Sequence, residues 1–140
     1  MGPPDKMKVG VLTSSRADYG IYQPLLRMLD DDPFFELEVI AFGAHLLERF
    51  GHTVDYIYND GFRVVTVPDT MINGDLPADI VKSMAATMNV FSNFFNNNHY
   101  HLLFALGDRY EIFSAVAATA PFNIPVAHIH GGETTLGAID

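Results

Sequence analysis

The stretch His101-Leu-Leu-Phe-Ala-Leu-Gly-Asp-Arg-Tyr-Glu111 decides the fold class. His101 to Leu106 is a near-continuous apolar run, the pattern of a strand buried on both faces. Gly107-Asp108-Arg109 then puts a carboxylate and a guanidinium at the start of a helix. Downstream, Phe113, Val116, Ala117 and Ala120 repeat at one-face helical spacing until Pro121 stops them. A second apolar run, Pro125 to Ile129, follows and reads as another buried central strand. Strand, helix, strand is thus the local unit.

Working outward, the same unit recurs toward the N-terminus. Lys8–Thr13, Leu37–Phe42 and Arg63–Val67 are three further strands. Tyr22, Leu25, Leu26 and Leu29 predict a helix between the first two, with Pro24 expected near its first turn, where a missing N–H costs little. Leu46 to Asp60 is predicted helical and ended by Asp60-Gly61. A longer helix from about Ala78 carries Ile80, Met84, Met88, Phe91 and Phe95 as its core stripe and ends near Asn96-Asn97-Asn98. Such alternation means an α/β domain with a parallel sheet. Right-handed crossovers make 3-2-1-4-5 the expected order, a Rossmann-like sheet with helices on both faces. The expected organisation is one domain over 1–140, with a flexible segment at 1–7.

Composition narrows the function. The 140 residues hold 8 Lys plus Arg against 17 Asp plus Glu, so 8 − 17 gives a formal charge of −9. That balance disfavours nucleic-acid backbones and anionic lipid surfaces as partners. There are no cysteines, which removes disulfides, thiolate metal sites and thiol nucleophiles. No apolar run approaches the roughly 20 residues that span a bilayer, and Met1-Gly-Pro-Pro-Asp-Lys lacks a signal core. A cytoplasmic location is the expectation.

In open parallel sheets ligands sit beyond the carboxyl ends of the strands. Those ends carry Ser14-Ser15-Arg16-Ala17-Asp18-Tyr19-Gly20, Gly43-Ala44-His45, Gly107-Asp108-Arg109-Tyr110-Glu111 and His130-Gly131-Gly132-Glu133. Asp108 either caps its helix beside a structural ion pair or faces a ligand. Arg16 is either an exposed turn residue or a phosphate fork. There is no G-x-G-x-x-G and no Walker lysine, so a dinucleotide cofactor and ATP are not expected. His128 and His130 fall on one face if their strand continues, but a zinc site would need a third ligand, and no metal is assigned. His128 then reads as a buried, hydrogen-bonded histidine. Glu133 stands at the rim, able to act as acid, base or acceptor.

The segments T-S-S-R-A-D-Y-G-I-Y, G-A-H-L-L-E-R-F-G-H-T, G-D-R-Y-E and H-I-H-G-G-E-T-T-L-G-A-I-D, in this order, resemble the hydrolysing UDP-N-acetylglucosamine 2-epimerases, closest to the sialic-acid and legionaminic-acid branch. The resemblance runs from Lys8 to Asp140. It implies the N-terminal half of a GT-B-like two-domain fold, the second domain being absent from this chain. It implies a UDP-sugar substrate, release of the free 2-epimer and UDP by elimination and hydration, and no cofactor. Carried over residue by residue, Asp108 and Asp140 match catalytic acidic positions, and His130 stands where some relatives carry a catalytic glutamate. Either His130 or Glu133 then takes the acid/base role. Arg16 and Arg109 match nucleotide contacts, and Gly20 and His45 join them as binding positions.

Two expectations follow from the missing half. The chain alone should not turn over substrate, and its tail from Gly131 should be poorly ordered. An unfinished sheet layer near Val126 and Ile129 favours a homo-oligomer. The competing reading is a non-catalytic nucleotide-sugar binding module. A phospho-acceptor receiver domain is disfavoured, because Ser14-Ser15-Arg16 supplies no acidic pair after the first strand.

Overall fold

A computed structural model of the chain describes residues 5–47, 50–68 and 73–130. Five parallel strands form one sheet in the order β3-β2-β1-β4-β5, as the alternation predicts. They are β1 (Met7–Thr13), β2 (Phe35–Ala41), β3 (Val64–Thr66), β4 (Leu102–Leu106) and β5 (Val126–Ile129). The helices are α1 (Arg16–Asp31), α2 (Val54–Asn59), α3 (Pro77–Asn97) and α4 (Tyr110–Thr119). Strand β1 therefore starts at the last residue of the segment expected to be flexible. None of the described helices is long and apolar enough to cross a membrane.

Strand alternation splits the core into two layers. On one face Val9, Val11, Val39 and Ala41 pack under Tyr22, Leu26 and Leu29 of α1 and Val54 and Ile57 of α2. On the other, Leu12, Ile40, Leu103 and Ala105 pack under Phe91 and Phe95 of α3 and Ile112, Ala115 and Ala118 of α4. Gly10 makes the second layer close: a Cβ there would lie 2.8 Å from Ile40 Cδ1.

Five expectations are corrected. Pro24 is not in the first turn but the ninth residue of α1, whose N-cap is Ser15. It is tolerated because both it and Gly20, whose carbonyl loses its donor, face solvent. Of the helix expected over 46–60, the described residues show the end of a 3-10 turn at Leu46 and then α2, with Gly51 (φ 83°) and His52 (φ 47°) in left-handed backbone just before it. Its predicted end holds, with Asp60 as C-cap and Gly61 at φ 85°.

The stripe of α3 is rotated in its first half. Ser83 and Thr87 are buried above Phe91 and Phe95, while Met88 is 40% exposed. Asn97 and Asn98 close the helix by donating from their amides to the carbonyls of Asn93 and Phe94, both at 2.9 Å. In α4 the buried face is Glu111, Ile112, Ala115 and Ala118, whereas Phe113 is 60% exposed. That helix is apolar nearly all round, so spacing alone does not select a face. Finally, β5 is an edge strand with no fully buried residue. Val126 and Ile129 are partly buried against opposite layers.

Candidate functional site

Two clefts open at the carboxyl ends of the strands, side by side above β1 and β4. The larger, about 540 Å³, is lined by Ser14, Ser15, Arg16, Tyr56, Arg109 and Glu111 among others. The second, about 410 Å³, is lined by Asp18, Ile21, Gly107, Asp108, Arg109 and His130 among others. Ser15, Ala17 and Arg109 belong to both, so they form the ridge between the clefts.

The first-strand loop owes its shape to a helix start. Ser15 is the N-cap of α1, and its hydroxyl accepts from the Asp18 N–H at 3.5 Å. Asp18, three residues on, bends back so that Oδ2 accepts from the Ser14 N–H at 3.1 Å and the Ser14 hydroxyl at 3.2 Å. This is a variant of the reciprocal cap, with the carboxylate reaching one residue further back than usual. The turn holds Arg16 outward at the mouth of the first cleft, its guanidinium 4.4 Å from the centre of the Tyr56 ring.

On the β4 side, Gly107 takes φ 77°, and Arg109, not Asp108, is the N-cap of α4, with no side-chain cap bond. Asp108 therefore does not serve as the helix cap and instead lines the second cleft. The ion pair expected beside it also differs. Arg109 donates through Nε and Nη2 to the buried carboxylate of Glu111, at 3.1 and 3.0 Å. That pairing raises the guanidinium's pKa further and fixes the fork at the ridge.

His130 lines the second cleft at the end of β5 with φ 56°, a left-handed conformation that costs a non-glycine residue about 1 kcal/mol or more. That turn breaks the strand alternation, so His128 and His130 do not continue on one face. His128 is exposed rather than buried, and its Nε2 bonds the Gly107 carbonyl, tying β5 to the Asp108 loop.

Two expected binding residues are not on the clefts. Gly20 is exposed on α1 and lines neither cleft. His45 has no exposed surface and sits beneath the loop, so it is not placed to touch a ligand. Its Nε2 is 2.8 Å from Thr13 Oγ1 and its Nδ1 2.9 Å from Thr53 Oγ1. Burial lowers its pKa to about 4, so the imidazole is neutral at pH 7. Burial also raises the pKa of Asp18, against the hydrogen bonds from Thr13, Ser14 and Ser15 that lower it. Glu133 and Asp140 lie outside the described residues, as does the tail expected to be poorly ordered.

Asp18 and Glu111 stand within the strand-end segments without a role assigned from sequence, and Thr13, Thr53 and Tyr56 are not singled out there at all. The signal for Asp18 was present: Ser15-x-x-Asp18 before an apolar helix is a capping pattern. Glu111 had the weaker signal of an acid in the first turn of a helix. Thr53 and Tyr56 had none, since nothing local brings α2 against the first-strand loop.

The chain matches the family described as UDP-N-acetylglucosamine 2-epimerase over residues 27–140. It is 43% identical, over 95% of its length and 34% of the relative's, to the polysialic acid biosynthesis protein P7 of Escherichia coli. It is 33% identical, over 96% of its length and 35% of the relative's, to the hydrolysing GDP/UDP-N,N'-diacetylbacillosamine 2-epimerase of Campylobacter jejuni. Among solved structures, the UDP-GlcNAc 2-epimerase of Neisseria meningitidis bound to UDP-GlcNAc superposes with a TM-score of 0.71 at 18% identity, over 94% of this chain and 34% of that one. The last shows a shared fold. The chain thus spans about a third of the length of the relatives it matches. By its family match over residues 27–140, it belongs to the UDP-N-acetylglucosamine 2-epimerase family.

Proposed function

We propose that this chain supplies one wall of a hydrolysing UDP-sugar 2-epimerase site, acting on UDP-N-acetylglucosamine or a UDP-2,4-diacetamido sugar. The observation that carries the reading is the shared ridge: Asp108 and His130 line one cleft, Arg16 lines the next, and Arg109 belongs to both. Groups able to move a proton thereby adjoin groups able to hold a diphosphate.

The chemistry requires that adjacency. A base removes the proton from sugar C2 while the C1–O bond to UDP breaks, and the electron pair forms the C1–C2 double bond of a glycal. Water then adds its hydroxyl at C1, and a proton returns to C2 from the opposite face. The products are UDP and the free 2-epimer, N-acetylmannosamine for the first substrate. Two proton-handling groups are needed, and Asp108 and His130 supply them; an imidazole can give a proton as well as take one. Arg16 and Arg109 hold the departing diphosphate, whose negative charge grows as the bond breaks.

A site with one wall does not complete this cycle, so the chain alone binds substrate weakly and releases no UDP. The test is saturation-transfer NMR with millimolar UDP-N-acetylglucosamine, beside a coupled assay for UDP. The reading expects transfer to the ligand in the native chain, loss of it in Arg16→Ala and Arg109→Ala, and no UDP. Absence of transfer, transfer that survives both substitutions, or steady UDP release refutes it.

A further inference from the structure

We infer that Asp18 is a positioning residue, whose carboxylate presets the Ser14–Arg16 loop for an anionic ligand through a hydrogen-bond chain running Asp18–Thr13–His45–Thr53. The anion, taken as a nucleoside diphosphate, rests on the function proposed above; the loop geometry does not.

The chain is anchored on three elements. Thr13 ends β1, His45 lies in the turn after β2, and Thr53 immediately precedes α2. His45 is wholly buried, and Thr13, Asp18 and Thr53 are each buried to more than nine-tenths. The Thr13 hydroxyl bonds Asp18 Oδ1. On the far side of the carboxylate, Oδ2 accepts from Ser14 N–H and Ser14 Oγ–H. The two ends of the chain also border different clefts, Asp18 the second and Thr53 the first.

With Asp18 ionised, counting protons sets the direction of the bonds along this chain. Thr13 has one hydroxyl proton, and with Asp18 ionised that proton goes to Oδ1. Thr13 Oγ1 is then the acceptor at its contact with His45, so His45 carries its hydrogen on Nε2. His45 Nδ1, left with a lone pair, accepts from the Thr53 hydroxyl. Protonating Asp18 releases the Thr13 proton, which can then turn to the Ser15 carbonyl, 3.3 Å away, or to His45 Nε2. The two Ser14 donors, one of them a backbone N–H that cannot turn away, favour the ionised form. An ionised Asp18 therefore requires His45 to carry its hydrogen on Nε2.

This arrangement exceeds what helix capping requires. A cap needs one acceptor for the end of α1, and the Ser15 hydroxyl already provides it. The Asp18 carboxylate instead holds the backbone of Ser14, two residues before Arg16, while its other oxygen is tied through Thr13 to the buried His45. Asparagine cannot replace it. Its amide oxygen can face Thr13 or the Ser14 N–H, and in either case its NH₂ confronts the other donor or releases the Thr13 proton. Serine at position 13 keeps the hydroxyl; valine keeps the shape without it.

The experiment uses the chain labelled with 15N in its histidines and backbone, with UDP as the probe. Long-range proton–nitrogen spectra at pH 7 are expected to show His45 as the Nε2–H tautomer in the native chain and in Thr13→Ser. Thr13→Val and Asp18→Asn are expected to shift the His45 Nε2 signal, to move the Ser14–Arg16 amide signals, and to bind UDP at least about tenfold more weakly, the equivalent of about 1.4 kcal/mol. Thr13→Ser should restore native affinity, which simple loss of packing at position 13 would not allow. An Nδ1–H tautomer in the native chain overturns the proposal. So does unchanged UDP affinity in both Asp18→Asn and Thr13→Val. If UDP fails to bind the native chain while the tautomer and loop shifts behave as stated, the positioning role stands and the UDP-sugar reading falls. Should Asp18→Asn unfold, the comparison of Thr13→Val with Thr13→Ser decides alone.

Discussion

Lowering the pH from 7 to 5 asks the His45 imidazole to take on a charge where it is buried away from water. In the unfolded chain a histidine titrates near 6.5, whereas burial lowers the folded value to about 4. Between those values the unfolded state binds a proton that the folded state refuses, so stability falls as pH falls through that window. Integrating over a gap of this size gives a loss of about 2 kcal/mol between pH 7 and pH 5. Asp18 acts with the opposite sign. Its raised carboxyl takes up a proton in the fold before it would in the unfolded chain, so the decline flattens toward the acid end. Urea unfolding of the native chain and of His45→Gln, each at both pH values, isolates the effect, because the amide does not titrate. The native chain should lose about 2 kcal/mol more than the variant over that interval. Equal pH slopes refute the reasoning, and so does an NMR titration placing His45 near 6.5.

Other expectations concern the fold. Pro24→Ala restores the missing hydrogen bond in the middle of α1 and should raise stability by up to about 3 kcal/mol, read as a higher urea midpoint; an unchanged or lower midpoint contradicts it. Phe95 is wholly buried among Phe91, Phe94 and Phe122, so Phe95→Ala should cost about 3–5 kcal/mol by the same assay. Gly10→Ala forces a methyl against Ile40 and Leu103 and should cost about 1–3 kcal/mol, where a neutral result would show that the layer between β1 and α3 can yield.

Strand order and strand ends were legible because apolar β-branched runs and the handedness of crossovers leave few choices. Arg16, Asp108, Arg109 and His130 follow directly from that order, since each stands just past a strand or opens the helix after one. What the sequence concealed depends on contacts between distant elements. His45 reads like its neighbours at a strand end, yet Thr53, eight residues later, draws it under the surface. In α4 a helix apolar nearly all round gives no phase, and Phe113 points outward where its spacing predicts it inward. The local rule that puts proline in the first turn of a helix is relaxed at Pro24 by the solvent-facing Gly20 carbonyl. The Arg109 partner was missed for a similar reason: Asp108 is adjacent in sequence, but Glu111 is the carboxylate within reach of the guanidinium.

The most direct measurement is a crystal structure of this chain grown with UDP-N-acetylglucosamine. The account predicts the diphosphate against Arg16 and Arg109 and the sugar toward Asp108 and His130. Density for the ligand on any other face, with the ridge at Arg109 left bare, would contradict it.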